Sequence, residues 1–121
     1  MRRPSVLLVE DEFLIRLTLA EALADEGFDV IEAENSAEAL ALLRAHPDLA
    51  LLLTDLHLAD GLSGAELAHA ARQVAPQLPV IFMSGRPDSA PAMASAPGAA
   101  FVAKPYHPIE VCSLARRLTQ D

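Results

Sequence analysis

Short apolar runs of strand length recur along this chain, and segments long enough for a helix separate them. Three of the runs, Val6–Val9, Leu49–Leu53 and Val80–Met83, are continuously apolar rather than alternating. Continuous apolar runs are typical of strands covered on both faces, as in a parallel sheet. Because helix-length connections join them, we predict right-handed βαβ units and an α/β fold, with helices on both faces of a parallel sheet. The five predicted strands are Ser5–Val9, Phe28–Ala33, Leu49–Thr54, Pro79–Met83 and Ala99–Ala103.

Helical periodicity and capping residues predict the connections between these strands. Gly27 stands where a C′ glycine would end the first helix. Asn35, followed three residues later by Glu38, has the form of a capping box that opens the second. The predicted helices run from Glu12 to Glu26, from Asn35 to the residues before Pro47, from about Ser63 to Ala75, and from near Pro108 onwards.

The first and last helices each have a predicted buried face. In the first, the residues expected on that face are Phe13, Leu14, Leu17, Ala20, Leu23 and Ala24. In the last, they are Ile109, Val111, Cys112, Leu114, Ala115 and Leu118. Between the fourth and fifth strands, the segment Arg86–Gly98 contains three prolines. A proline inside a helix costs about 3 kcal/mol, so we expect a short, frayed or missing helix there.

Composition bounds the class of protein. Apolar residues make up 52% of the 121 residues, which suits one folded domain over residues 1–121. The net charge of −8 argues against a cationic nucleic-acid surface and favours a divalent cation or a basic partner. The single cysteine, Cys112, excludes an intramolecular disulfide framework and a Cys-rich zinc site. No stretch approaches the roughly 18 uncharged residues of a membrane span. We therefore expect a cytoplasmic protein that does not bind a membrane.

Polar and charged residues follow the predicted strands at their carboxyl ends, where open α/β sheets bind ligands. They are Glu10 and Asp11 after the first strand, Asp55 after the third, Ser84 (with Gly85 behind it) after the fourth, and Lys104 (with Pro105 behind it) after the fifth. Three carboxylates at one edge repel one another unless a cation relieves them, and Mg²⁺ prefers such oxygen ligands. Lys104 and Ser84 would supply a positive charge and a hydrogen-bond donor to a phosphoryl group. One carboxylate could then act as a nucleophile and form an aspartyl phosphate.

Each of these residues taken singly also has a simpler interpretation. The acidic run Glu10–Glu12 could be solvated residues favoured by a helix dipole, and Asp55 could be a turn residue. Their combination with Lys104, the only lysine among nine basic residues, favours a site. Four histidines lack metal-ligand spacing and are interpreted as surface or packing side chains: His46, His57, His69 and His107.

Four sequence blocks resemble the signature blocks of bacterial response-regulator receiver domains, the phosphoacceptors of two-component and phosphorelay systems. The blocks are Val6–Glu12, Leu52–Leu56, Phe82–Gly85 and Phe101–Tyr106. They follow the family's order and spacing and span essentially the whole chain. The resemblance implies a flavodoxin-like, doubly wound sheet with strand order 2-1-3-4-5. It also implies a signalling domain rather than an enzyme, with self-catalysed phosphotransfer and autodephosphorylation as its only chemistry.

The resemblance implies that Asp55 is the phosphoacceptor. Glu10 and Asp11 correspond to the acidic pair that holds Mg²⁺, together with Asp55 and the backbone carbonyl of His57. Two departures from the family pattern adjoin this site. The acidic pair is Glu-Asp rather than Asp-Asp, and the turn Leu58–Gly64 is one residue longer than the usual Met-Pro-Gly turn.

The remaining blocks imply a switch. Ser84 corresponds to the hydroxyl that turns toward the phosphoryl group, and Gly85 to the small neighbour that leaves room for it. Lys104 corresponds to the residue that pairs with a phosphoryl oxygen, and the Lys104–Pro105 bond is expected to be cis. Phe101 lies at the switch-aromatic position. Phosphorylation would then reorganise the face where partners bind. This face is made by the weak helix expected between the fourth and fifth strands, the fifth strand and the last helix.

The main hypothesis is a single-domain receiver that accepts a phosphoryl group from a sensor histidine kinase or a histidine phosphotransfer protein. It would then switch the binding of a downstream protein partner, or drain phosphate from a competing pathway. Phe82–Arg86 and the weak helix expected after it also resemble the receiver subgroup nicknamed FATGUY, whose kinases tend to be of the HWE/HisKA2 type. One alternative is an adaptor that works without phosphorylation. A less favoured one is an aspartate-nucleophile phosphatase of the haloacid-dehalogenase type, which usually needs an aspartate where this chain has His57.

Overall fold

The computed structural model describes residues 3–58, 61–85 and 96–120. Its five strands form one parallel sheet in the order β2-β1-β3-β4-β5, which confirms the predicted topology. The strands are β1 (Ser5–Val9), β2 (Asp29–Ala33), β3 (Leu51–Asp55), β4 (Val80–Ser84) and β5 (Ala100–Ala103). Each lies within one or two residues of its predicted bounds.

Four helices are seen in the described part of the chain. They are α1 (Phe13–Asp25), α2 (Ser36–Ala45), α3 (Gly64–Val74) and α4 (Pro108–Thr119). Gly27 has a φ of +98°, a left-handed conformation that glycine adopts readily, and it follows the end of α1 as predicted. The helix expected between β4 and β5 falls largely on residues 86–95, outside the described residues.

Side-chain caps fix where the later helices begin. The Asn35 side chain accepts a hydrogen bond from the Glu38 N–H at 2.8 Å, and Ser63 forms a full capping box with Glu66. His107, interpreted from the sequence as a surface or packing side chain, caps α4. Its Nδ1 accepts a hydrogen bond from the Ile109 N–H at 3.2 Å. The helices therefore start at positions that their own side chains define.

The sheet separates two apolar layers, and alternate residues of each central strand enter opposite layers. Leu7, Leu52 and Phe82 pack in the layer that includes α2 and α3. Leu8, Leu53 and Ile81 pack in the layer that includes α1 and α4. Burial on both faces explains why these strands are continuously apolar in sequence. The same burial leaves the carboxyl ends of the strands as the places where polar groups can meet.

The predicted buried face of α1 is wrong in part. Phe13, Leu14, Leu17 and Ala24 are exposed, Phe13 and Leu14 by 62% and 73%, whereas the buried residues of α1 are Leu19, Ala20 and Leu23. The first two turns of α1 are apolar on nearly every side, so periodicity could not select the face that meets the sheet. Among the predicted buried residues of α4, Ile109 in the first turn is 69% exposed.

In the portions of the chain that the structure describes, no helix has both the length and the hydropathy needed to cross a bilayer.

Candidate functional site

The carboxyl edge of the sheet brings three of the predicted site residues into direct contact. Lys104, which follows β5, donates hydrogen bonds through Nζ to Asp55 Oδ2 at 2.9 Å and to Glu10 Oε2 at 3.2 Å. These partners are 49 and 94 residues away in sequence, so the contacts exist only because the strands are adjacent. Asp11 joins the group: one carboxylate oxygen from each of Glu10, Asp11 and Asp55 lies within 4.8 Å of the others.

Burial makes the negative charges of this cluster costly in free energy. Glu10 is fully buried, and this burial raises its pKa to about 7, opposed by the Glu12 N–H and by Lys104. The Asp55 carboxylate adds repulsion and raises the pKa of Glu10 further. Burial lowers the pKa of Lys104, but its hydrogen bond to Asp55 and the negative charges of Asp55 and Glu10 outweigh that effect and raise it. Lys104 therefore stays charged and neutralises part of the acidic cluster.

Asp55 is the last residue of β3 and is held from several sides. Its Oδ1 accepts a hydrogen bond from the His57 N–H at 3.2 Å, while Oδ2 accepts the bond from Lys104. Gly64, the first residue of α3, packs against the Asp55 backbone: a Cβ there would lie 2.2 Å from the Asp55 carbonyl oxygen. The Gly64 N–H donates to the Leu56 carbonyl at 2.9 Å. The carboxylate thus faces the cluster from a rigid strand end.

The donor set fits a hard divalent cation. Three carboxylates that converge within 4.8 Å are oxygen ligands, and Mg²⁺ binds through one or two carboxylates and retains several waters. The described residues add no sulfur or imidazole ligand to this cluster. A cation there would offset the mutual repulsion of the acidic groups that Lys104 alone relieves only in part.

The chain matches the family model described as the response regulator receiver domain over residues 6–116. It is 33% identical over 120 residues to the aerobic respiration control protein ArcA of Escherichia coli K12, and 38% identical over 121 residues to the transcriptional regulatory protein CreB of the same strain. Each alignment covers 98% of this chain, with 49% of ArcA and 52% of CreB. The chain therefore spans about half the length of these relatives.

The chain belongs to the response regulator receiver family. Solved structures agree: the receiver domain of NtrX from Brucella abortus is 30% identical with a TM-score of 0.83, over 94% of this chain and 97% of that one. A receiver protein from Sinorhizobium medicae, at 24% identity and a TM-score of 0.89 over 98% and 95% of the two chains, shows the same fold. This receiver is thus a phosphoacceptor domain of two-component signalling.

Two predicted switch residues of this receiver lie on the neighbouring strands. Ser84 is buried at the end of β4, and its carbonyl oxygen accepts a hydrogen bond from the Lys104 N–H at 2.8 Å. Phe101 on β5 is half-buried and stands opposite Phe82 in the parallel register. The Lys104–Pro105 peptide bond is cis. Gly85 follows Ser84, and a Cβ there would lie at an ordinary 3.7 Å from Lys104 Cβ.

The lengthened turn after Asp55 is anchored to α2. The buried Ser36 hydroxyl oxygen accepts a hydrogen bond from the Leu62 N–H at 2.9 Å. Gly61 has a φ of +73°, and a Cβ there would lie 2.4 Å from the same oxygen, so glycine suits this position on both counts. Residues 59 and 60 lie outside the described ranges. The side chain of His57, two residues after Asp55, is exposed.

Sequence reasoning missed two residues near the cluster. The Tyr106 hydroxyl is buried and has no hydrogen-bond partner among the described residues, and burial raises the pKa of Tyr106 to about 12. Arg16 of α1 donates a hydrogen bond to the carbonyl oxygen of Glu10 at 2.8 Å. The available signal for Arg16 was a lone cation within an apolar stretch near a helix N-terminus, where the dipole disfavours positive charge.

An apolar surface adjoins the cluster on one side. A groove of about 570 Å³ lies between α1 and the start of α4, with Leu14, Ile15, Lys104, Pro105 and Tyr106 among its walls. Leu14 in this groove is exposed, and so are Phe13 and Leu17 of α1 and Ile109 of α4. We call these four exposed residues the apolar rim.

Proposed function

We propose that this receiver accepts a phosphoryl group on the Asp55 carboxylate from a phosphohistidine of a protein donor, with Mg²⁺ held beside it. The observation that carries the proposal is the contact of Asp55 with Lys104 inside the three-carboxylate cluster. This arrangement combines a nucleophile, a fixed positive charge and a set of cation ligands. The proposed cation ligands are Glu10, Asp11, Asp55 and the backbone carbonyl of His57.

The chemistry follows from these groups. An Asp55 oxygen attacks phosphorus, the phosphorus–nitrogen bond to the donor imidazole breaks, and the leaving nitrogen takes up a proton. Mg²⁺, when bound, neutralises charge on the phosphoryl oxygens. Lys104 exchanges part of its contact with Asp55 and Glu10 for a phosphoryl oxygen. The Ser84 hydroxyl donates a hydrogen bond to another phosphoryl oxygen, and Gly85 leaves room for the phosphoryl group.

The resulting acyl phosphate is proposed to change the binding of a downstream partner. Ser84 and Phe101 would transmit the change to the surface that contains β5 and α4. Draining phosphate from a competing pathway is the alternative use of the same reaction. Residues 1–121 would act as one receiver domain in either case, in the cytoplasm and without direct contact with nucleic acid or a membrane.

A protein donor is favoured by the apolar rim. Four large apolar side chains are exposed on α1 and α4, and one of them, Leu14, lines the groove that Lys104 also lines, which leaves apolar area that a docking protein could cover. We propose a histidine kinase of the HWE/HisKA2 type as donor, because Phe82–Arg86 resembles the FATGUY subgroup. Phosphotransfer from purified kinases of this type and of other types would test that choice, and faster transfer from another type would reject it.

The decisive experiment measures intact mass after incubation with phosphoramidate. The wild-type chain in Mg²⁺ should gain about 80 Da, and EDTA should abolish the gain. Asp55→Asn should fold and gain nothing, because the amide preserves shape but is not a nucleophile. Asp48→Asn on the loop before β3 serves as the matched control and should be labelled like the wild type.

Two results would contradict the proposal. Labelling of a folded Asp55→Asn variant would show that another residue is the acceptor. Absence of any adduct, both with small donors and with a panel of kinases, would favour the alternative of an adaptor that works without phosphorylation.

A further inference from the structure

A largely buried arginine outside the carboxylate cluster contacts the backbone that presents it. Arg16, in the first turns of α1, has a side chain that is only 12% exposed. Its Nη1 donates a hydrogen bond to the Glu10 carbonyl oxygen at 2.8 Å, and its Nε donates to Glu32 Oε1 on β2 at 3.3 Å. The guanidinium carbon also lies 5.6 Å from the centre of the Phe13 ring. Arg16 therefore joins three elements: the end of β1, α1 and β2.

The contact from Arg16 completes the hydrogen bonding of Glu10. The Glu10 N–H donates to the Ala33 carbonyl at 3.1 Å, and the two carboxylate oxygens accept from the Glu12 N–H at 3.1 Å and from Lys104 at 3.2 Å. The remaining polar atom, the carbonyl oxygen, is the one that Arg16 binds. Both the backbone and the side chain of Glu10 are thus fixed.

The position of Arg16 is unfavourable for the helix itself. A cation near a helix N-terminus opposes the macrodipole, and ordering the long arginine side chain costs conformational entropy. Hydrogen bonds that involve a charged group are stronger than those between neutral groups, and the planar guanidinium can bind two acceptors at once. The contacts with Glu10 and Glu32 therefore explain the placement of this cation, which the helix dipole disfavours.

We propose that Arg16, oriented by Glu32, is a positioning residue that holds the junction between β1 and α1 so that the carboxylates of Glu10 and Asp11 are preformed for a divalent cation. This inference rests on the proposed function, in which those carboxylates hold Mg²⁺. Outer partners that orient metal ligands typically change metal affinity by about 10- to 100-fold when they are removed. For Arg16 we expect a change in Mg²⁺ affinity near the lower end of this range, because Arg16 acts through the backbone of Glu10.

The first test is Mg²⁺ affinity, measured by calorimetry or amide chemical shifts. Arg16→Met keeps much of the apolar stem but loses both hydrogen bonds. It should raise the Mg²⁺ dissociation constant roughly tenfold. Arg16→Lys keeps the charge but cannot bond both acceptors in the same way, so it should rescue affinity only in part. Arg44→Met, on the exposed side of α2, is the matched control and should bind as the wild type does. At saturating Mg²⁺, the phosphorylation rate of Arg16→Met should return to near the wild-type value.

A second measurement needs no metal and covers the case in which Arg16→Met folds poorly. In EDTA, exchange of the Glu12 amide, which bonds the Glu10 carboxylate, should be faster in Arg16→Lys and Glu32→Gln than in the wild type. The Leu7 amide in the core should exchange unchanged, which separates local from global opening. Unchanged Glu12 exchange, or wild-type Mg²⁺ affinity in folded Arg16→Met, would overturn the inference. A wild-type protein that binds no Mg²⁺ would instead overturn the proposed function, whatever the exchange result.

Discussion

At the scale of single residues, Lys104 is the group on which the metal-free site depends. Lys104→Ala removes the cation that bonds both Asp55 and Glu10 and leaves two buried carboxylates without it. We expect the free energy of unfolding in EDTA to fall by about 1 to 3 kcal/mol. Mg²⁺ should restore most of that loss, because a bound cation supplies the missing positive charge.

The measurement is urea unfolding of wild type and Lys104→Ala, each with Mg²⁺ and with EDTA. The variant should still bind Mg²⁺ and still be labelled by phosphoramidate, but phosphorylation should no longer change the binding of its partner. An unchanged partner response would show that Lys104 does not couple the acyl phosphate to the surface. Arg44→Met again provides a substitution of a cation away from the site.

Glu10 predicts a pH dependence of stability. Its pKa is raised from 4.5 to about 7 in the folded chain, so the folded state binds more protons than the unfolded state between these values. The contribution of Glu10 to stability is therefore full below about pH 4.5 and is lost as the pH rises through about 7. A shift of this size corresponds to a loss of about 3 kcal/mol.

Urea unfolding in EDTA from about pH 5 to about pH 8 would test this. The stability of Glu10→Gln, which does not titrate, should fall less than that of the wild type over the range. Mg²⁺ should reverse the wild-type trend, since cation binding requires the ionised carboxylate. Parallel curves for the two proteins in EDTA would show that another group controls the pH dependence.

At the scale of elements, the position of α3 depends on Gly64. A Cβ at Gly64 would lie 2.2 Å from the Asp55 carbonyl oxygen and 2.8 Å from Leu56 Cα, and both are backbone atoms that a rotamer change cannot move. Gly64→Ala should lower the free energy of unfolding by about 1 to 3 kcal/mol and slow phosphorylation, because the strand end that carries Asp55 must shift. Gly85→Ala, whose Cβ would meet only Lys104 Cβ at 3.7 Å, is the stability control. Equal stability of the two variants would show that α3 adjusts without strain.

The elements also show where sequence reasoning succeeds. Apolar runs of strand length predicted the strands. Because parallel strands end at the same edge, the residues directly after those runs predicted that Glu10, Asp55 and Lys104 lie close together. The orientation of α1 was not available from sequence, since Phe13, Leu14, Ile15, Leu17 and Leu19 lie on several sides of the helix. Packing against the sheet selects Leu19, and no local pattern encodes that choice. For the same reason, the sequence did not predict that the α1 residues of the apolar rim are exposed.

At the scale of the whole molecule, the two layers of the core leave a polar edge and, beside it, an apolar surface. The layers are filled by alternate residues of the same strands, so they do not account for the apolar rim. One of its residues, Leu14, lines a groove with Lys104, and a protein that covers this groove during phosphotransfer would explain why it is exposed. Small phosphodonors reach the same carboxylates without covering that surface, so the two kinds of donor separate docking from chemistry.

Leu14→Arg tests this separation. Leu14 is 73% exposed, so the substitution should leave the free energy of unfolding within about 0.5 kcal/mol of the wild-type value. Phosphotransfer from a histidine kinase should fall about tenfold or more, because a charge would be buried in an apolar contact. Labelling by phosphoramidate should not change. Val74→Arg, at an exposed apolar position on α3, is the matched control and should affect neither reaction. Equal losses with both donors would place the defect in the carboxylate cluster, and no loss with either would exclude the apolar rim from donor binding.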